Sequence, residues 1–206
     1  MTASDKLYID NTDEKATAAL AMADEFIGSL NVDAKKAIHL RLLAEETIGM
    51  VRAMTGDFDA YFWMENDGEY RVRLDVFTDM DLNKKNELLS LSTSGVNTSA
   101  KGFMGKIREF IENSLLGFDY SMKLQQQSGS EIGYSYMGMG MVGDYPMTSS
   151  YIWSLQNYKN ALDESDSDVD RTEAYDELER SIVASLAKDV TVGVKSNEVN
   201  LTIVAR

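Results

Sequence analysis

The sequence predicts an α+β fold in which helices cover one face of a mostly antiparallel sheet. Two β-hairpins, each with strict alternation of apolar and polar residues, lie far apart in the chain, and an amphipathic helix precedes each of them. A period of two is typical of half-buried strands, and apolar residues at three- and four-residue steps are typical of helices that pack on a core. With 206 residues the chain is long enough for a sizeable core. We therefore expect a single domain over residues 1–206, with a flexible insertion at about 117–150.

The first predicted elements are a short strand and two helices. Residues 6–11 (KLYIDN) predict the strand, and residues 11–13 offer caps for a helix over 13–30 that Gly28 ends. A second helix is predicted over 33–54, with Asp33 as its cap. Its buried face consists of residues at helical spacing: Leu40, Leu43, Thr47, Met50 or Val51, and Met54.

The first hairpin is the clearest local prediction. Residues 58–65 alternate between apolar and polar side chains, and residues 70–76 return with the same alternation. Between them, residues 66–69 (NDGE) contain the Asp-Gly pair that is typical of a two-residue hairpin turn.

The remaining elements follow in order. Residues 82–102 predict a short helix and a polar loop, residues 103–116 an amphipathic helix, and the Gly-, Met- and Tyr-rich residues 117–150 the insertion. We expect a helix over 151–162, an acidic linker over 163–170 and an amphipathic helix over 171–187. The second hairpin closes the chain, with its turn at Ser196 and Asn197.

Composition excludes several classes of function. A net charge of −14 disfavours nucleic-acid binding, which needs a basic surface, and favours basic protein partners or bound cations; solubility alone is the plainer explanation. Without cysteine, disulfides and thiolate metal sites do not arise, and His39 is the single histidine. The absence of a long apolar run or a signal pattern favours a cytoplasmic protein without membrane contact.

Gly49 is the least expected residue of the second helix. A glycine inside a helix costs about 1 kcal/mol relative to alanine. Glu45, Gly49 and Arg52 stand at i, i+4 and i+7, so they share one face. We expect the missing side chain to serve the approach of a ligand or of a neighbouring backbone, which makes this helix the first candidate for a site.

The same helix carries a family resemblance. The order of elements and the segment LLAEETIGMV resemble the GHKL (Bergerat-fold) ATPases, especially the anti-sigma-factor serine kinases, over residues 6–81 and 171–206. The resemblance implies a two-layer α/β sandwich with a mostly antiparallel mixed sheet, binding of ATP or ADP with or without magnesium, and catalysis by Glu45. Gly49 stands where the family has its magnesium-binding asparagine, and Asp79 stands near the aspartate that binds the adenine amino group.

Several motifs depart from the family pattern. Gly49 lacks an oxygen for magnesium, and TDMDL replaces the glycine-containing aspartate box. The loop before the helix at 103 is the predicted phosphate site, because backbone N–H groups at a helix start, close approach at glycine and lysine charges all favour anions. The alternative is an ordinary loop with a helix cap. The candidate binding residues of this loop are Ser94, Gly95, Lys101, Gly102, Gly105 and Lys106.

Two alternatives remain for other carboxylates. Glu45 is either a general base or a solvated surface charge paired with Arg41 or Arg52. Asp75, Asp79 and Asp81 form either a cation site or a solvated strand end, and we predict no metal site.

The function that these observations favour is a nucleotide-binding regulatory protein, degenerate in its motifs and acting by contact with a protein partner. One alternative is an active ATPase or serine kinase; another is an interaction module without nucleotide that uses the 117–150 insertion. Family analogy adds a homodimer as an expectation. We further expect side chains such as Met50, Met80 or Phe103 to fill the space above Gly49, so that the nucleotide pocket is lost.

Overall fold

The computed structural model describes residues 1–52, 58–78, 151–164, 168–195 and 197–206, with backbone alone for 168–170 and 173. It also describes six helical residues between 103 and 115, namely Phe103, Ile107, Phe110, Ile111, Ser114 and Leu115. The predicted polar loop at 82–102 and the insertion at 117–150 lie outside the described residues.

One seven-stranded sheet contains both predicted hairpins. Its strands are β1 (Thr2–Ala3), β2 (Leu7–Ile9), β3 (Phe58–Asn66), β4 (Tyr70–Thr78), β5 (Tyr151–Ser154), β6 (Ala187–Lys195) and β7 (Glu198–Ala205). The order is β1-β3-β4-β7-β6-β5, and β2 also pairs with β3. Because β4 pairs with β7, the prediction of a single sheet is confirmed. All pairings among the described strands are antiparallel, so the parallel pair that a mixed sheet would need does not occur among them.

Five helices are described over their length: α1 (Asp13–Ser29), α2 (Ala34–Arg52), α3 (Leu155–Asp163), α4 (Asp168–Arg180) and α5 (Ile182–Leu186). Thr12 caps α1, since its hydroxyl accepts from the Lys15 N–H. The Asp33 carboxylate accepts from the Lys36 N–H at 2.8 Å, which confirms the predicted cap of α2. None of the described helices is long and apolar enough to cross a membrane.

The core lies between the helices and one face of the sheet. On that face the alternate residues of the four long strands are buried, as Phe62, Leu74, Leu201 and Val192 illustrate. They pack in one cluster with residues of α1, α2 and α5 and with the helical residues from 103 to 115. The predicted α+β class is confirmed, and the position of the helices is compatible with a two-layer sandwich.

The helices contact different strands of the sheet. α1 contacts β2 and β3, α2 contacts β4 and β7, and α5 contacts β6. α4 contacts its neighbours α3 and α5. Consequently α2 lies over the centre of the sheet, between α1 and α5.

Four local predictions need correction. The first hairpin has three loop residues, 67–69, because Asn66 pairs with Tyr70, and Gly68 has φ +108°. Residues 151–154 form strand β5 instead of a helical turn, since Trp153 and Tyr151 pack on the core in register with β6. The predicted helix over 171–187 is divided at Ser181, whose hydroxyl caps α5.

The last correction concerns the end of α1. The helix passes Gly28 and ends at Ser29, whose hydroxyl donates to the Phe26 carbonyl at 2.6 Å. A glycine lowers helix propensity without ending a helix by itself, so the observed end depends on the residues that follow.

Candidate functional site

The flank of α2 that carries Glu45 and Gly49 lies along α1 and faces solvent. Arg41 of α2 binds Asp24 of α1, with 2.6 Å between Nε and Oδ1. One turn further, the same guanidinium lies 3.5 Å from the Glu45 carboxylate. At the end of α2, Arg52 pairs with Asp13 at the start of α1. The ion pairs with α1 therefore place this line of residues at the outer seam between the two helices.

Gly49 is exposed in the middle of this flank. A Cβ atom built on it would meet no described atom within 4 Å. Of the side chains expected to fill this space, Met50 and Phe103 are buried in the core. Met80 lies outside the described residues, so filling by that side chain stays a prediction. Met50 points elsewhere because consecutive helical residues differ in direction by about 100°.

Glu45 has the environment of a solvated surface charge. Its side chain is 58% exposed, and its described partner is Arg41. A general base must lie within hydrogen-bond reach of the proton that it removes. The structure contains the ion pair that the surface-charge alternative requires, and the catalytic role stays a prediction.

A second pair with the same spacing occurs one residue later. Glu46 is half-buried and Met50 is buried, and both are rotated by about 100° around α2 from Glu45 and Gly49. The motif spacing singles out Glu45 and leaves Glu46 without a predicted role. The adjacent glutamates in EETIGM were a signal that two flanks of this helix carry a carboxylate.

The other predicted nucleotide-binding residues are Asp79, Ser94, Gly95, Lys101, Gly102, Gly105 and Lys106, which lie outside the described residues. Asp79 directly follows the last residue of β4 in sequence. That residue, Thr78, is buried, and its N–H donates to the Asn197 carbonyl at 3.0 Å. The end of β4 is therefore tied to the turn of the terminal hairpin.

Within the described ranges no group of three or more His, Asp or Glu side chains could hold a metal ion. Asp75, the described member of the predicted cation site, instead accepts from the Asn200 amide at 2.8 Å and lies 3.7 Å from the Lys6 ammonium.

The outer face of the sheet, opposite the helices, carries a buried ionic cluster. Glu65 accepts from Arg73 Nε at 2.7 Å and from Trp63 Nε1 at 3.3 Å. The Lys6 ammonium lies 3.7 Å from the centre of the Trp63 ring, a cation–π contact. Both Trp63 and Glu65 are buried. Because the carboxylate has an arginine and an indole N–H as donors, its burial is compensated.

Beside this cluster, the outer face presents aromatic rings among carboxylates. In the register of β3, β4 and β7, Asp59 lies opposite Phe77, and Phe77 lies opposite Glu198. The neighbouring row contains Tyr61, Asp75 and Asn200. Tyr8 of β2 packs edge-to-face on Tyr61, with ring centres 6.0 Å apart. We call these residues the acidic aromatic patch: Tyr8, Asp59, Tyr61, Asp75, Phe77, Glu198 and Asn200.

Hydrogen bonds fix the carboxylates of this patch. The Tyr8 hydroxyl donates to Asp59, and this bond, together with burial and the nearby negative charges, raises the pKa of Tyr8 to about 12. The Asn200 amide donates to Asp75 at 2.8 Å and to Glu198 at 3.2 Å. Asp59 and Glu198 thus have neutral donors, and neither forms an ion pair with a described residue.

Comparisons with protein-family models, with curated proteins and with solved structures found no match to this chain. The resemblance to the GHKL ATPases therefore depends on the motifs of the sequence itself.

Proposed function

We propose that this protein is a regulatory relative of the anti-sigma-factor kinases, on a Bergerat-type scaffold, and that it acts by binding another protein. It binds ATP or ADP weakly or has lost the nucleotide, and it does not carry out magnesium-dependent phosphoryl transfer. The layout of α1 and α2 over a sheet that contains both hairpins is compatible with this scaffold.

The observation that carries the proposal is the pair of Glu45 and Gly49 on the α2 flank. Phosphoryl transfer depends on positioning and on neutralisation of charge by magnesium. Gly49 has no side-chain oxygen, and Glu45 is exposed and paired with Arg41. These two positions therefore offer a solvated carboxylate without a companion ligand for the ion.

Thermal unfolding with ADP, with and without magnesium, tests the nucleotide part of the proposal. A ligand at about 100 times its Kd adds roughly 2.7 kcal/mol to the free energy of unfolding. For a chain of this length that is a rise in Tm of about 5–10 °C. We expect at most a small rise at millimolar ADP, equal in the presence and absence of magnesium. A large rise that requires magnesium would contradict the proposal.

Phosphate release from ATP tests the enzyme alternative. We expect none above the rate without protein. Glu45→Gln and Glu46→Gln form a matched pair, because both remove one negative charge from the same helix, but from different flanks. Release that Glu45→Gln abolishes and Glu46→Gln leaves unchanged would establish the active ATPase.

A further inference from the structure

We propose that the acidic aromatic patch on the outer sheet face docks an arginine-bearing segment of a protein partner. This inference rests on the proposed function, since it names the surface through which the protein makes its contact. The centre of the docking surface is Phe77, with Asp59 on one side and Glu198 on the other.

The patch is accessible and apolar at its centre. Phe77 is 38% exposed and Tyr61 is 43% exposed, although each lies within a paired strand of the sheet. Exposed aromatic side chains are enriched where proteins bind other proteins. Neighbouring strands are about 4.8 Å apart, so Asp59 and Glu198 flank the Phe77 ring from positions roughly 10 Å apart. That spacing admits one planar cation on the ring with a carboxylate on either side.

The electrostatics favour a cation at this position. Asp59 accepts from the neutral Tyr8 hydroxyl, and Glu198 accepts from the neutral Asn200 amide. Their hydrogen bonds orient the carboxylates without neutralising them. Among the cations near the patch, Lys6 is engaged by Asp75 and Trp63, and Arg73 is engaged by Glu65. Lys15 lies 5.8 Å from the centre of the Tyr8 ring, and Lys195 lies opposite Glu198 in the register without an ion pair within 4 Å among the described contacts.

Arginine fits this arrangement better than lysine. The guanidinium is planar, stacks on aromatic faces and donates two parallel hydrogen bonds to a carboxylate. The net charge of −14 attracts a basic segment and opposes the docking of a second copy of this chain. The occupant is therefore a segment of a different, basic protein.

The probe is a fluorescein-labelled peptide with three arginines separated by glycines, and binding to the full chain is measured by fluorescence anisotropy. Two matched peptides replace every arginine with lysine or with its neutral isostere citrulline. We expect the arginine peptide to bind more tightly than the lysine peptide, and the citrulline peptide not to bind. Equal binding of the citrulline peptide, or no binding of the arginine peptide at millimolar protein, would overturn the proposal.

Two double variants with the same change in charge locate the binding site. Asp59→Asn with Glu198→Gln keeps an oxygen acceptor for each neutral donor, while Glu14→Gln with Glu25→Gln removes two exposed charges from α1. We expect the first pair to weaken arginine-peptide binding about tenfold and the second pair less than about twofold. Equal losses in both would indicate attraction to the overall charge and overturn the assignment.

Phe77→Thr tests the contribution of the ring. Threonine suits a strand, so circular dichroism and Tm should stay close to those of the parent protein. Loss of the cation–π contact should weaken binding about threefold and leave the salt dependence of Kd unchanged. Unchanged affinity in a folded Phe77→Thr variant would refute the central position of Phe77.

The outcomes separate this proposal from the proposed function. An active, magnesium-dependent ATPase whose patch still binds the arginine peptide would refute the proposed function and retain the docking surface. A chain without nucleotide binding and without peptide binding would refute the docking surface, and contact through another surface would remain.

Discussion

Replacing Gly49 by alanine should stabilise the protein, although a glycine in a well-packed helix usually signals a steric need. Gly49 lies within α2, which runs from Ala34 to Arg52, and is exposed. A new Cβ atom would meet no described atom within 4 Å. The substitution therefore adds helix propensity without a clash, which amounts to about 1 kcal/mol.

This magnitude is measurable for a chain of 206 residues. One kcal/mol corresponds to a rise in Tm of about 2–4 °C at this size. Asparagine has a much poorer helix propensity than alanine, so Gly49→Asn should gain only a few tenths of a kcal/mol. The expected order of Tm is thus alanine above asparagine above the parent glycine.

Thermal unfolding followed by circular dichroism at 222 nm provides the assay, with urea unfolding as an independent measure of the free energy. Gly28→Ala is the matched control. Gly28 is also helical, exposed and open, but it lies one residue from the end of α1, where the gain should be smaller. A lower Tm for Gly49→Ala would refute the reasoning, because it would require a neighbour that packs against the glycine.

Three further predictions follow from the described contacts. Gly68→Ala should cost about 1–2 kcal/mol in urea unfolding, because Gly68 has φ +108°, which side chains oppose; unchanged stability would contradict this. Phe103→Ala should cost about 3–5 kcal/mol, because the ring is 2% exposed and packs 5.8 Å from Trp153; a loss below 1 kcal/mol would contradict its core position. Arg71 lowers the pKa of Asp67, so this carboxylate stabilises the fold above its unfolded pKa of about 4 and loses that contribution as the pH falls. In Arg71→Ala, the free energy of unfolding should therefore decline less steeply below pH ~5 than in the parent protein. An unchanged decline would count against this prediction.

Periodicity was sufficient to predict the layer architecture. The alternation in residues 58–76 and 190–203 depends on burial of one sheet face, which is a property of each strand by itself. Helix starts were predictable where a side chain caps them, as at Asp33. The prediction of one sheet for both hairpins is confirmed by the pairing of β4 with β7, although the choice of these two strands was not predicted.

Other features depend on distant residues and could not be predicted in the same way. Strand β5 contains four residues and owes its conformation to pairing with β6, which lies more than thirty residues later in the chain. The break at Ser181 arises because a serine inside an amphipathic pattern can act as a cap. Neither strand β5 nor the helix break at Ser181 changes the spacing of apolar residues in the sequence.

The candidate site was predicted only in part, because its surroundings also depend on distant residues. Spacing correctly placed Glu45 and Gly49 on one flank of α2, but it could not decide what that flank faces. Burial of Leu40, Leu43 and Val51 in the core sets the direction, and the exposed pairs of Arg41 and Arg52 with α1 accompany it. A sequence pattern assigns residues to one face of a helix. Which element packs against that face depends on the tertiary structure.

The two faces of the sheet differ in burial, which separates the core from the proposed docking surface. On the helix side, the alternate residues are apolar and buried, so a change there alters the free energy of unfolding. On the outer side, the Glu65 cluster fixes one end of the face, and Asp59, Phe77 and Glu198 remain accessible beside it. We therefore expect substitutions of these three accessible side chains to alter binding of the arginine peptide at nearly constant stability. The acidic aromatic patch and the α2 flank share no residue, so a substitution in one should leave the other unchanged.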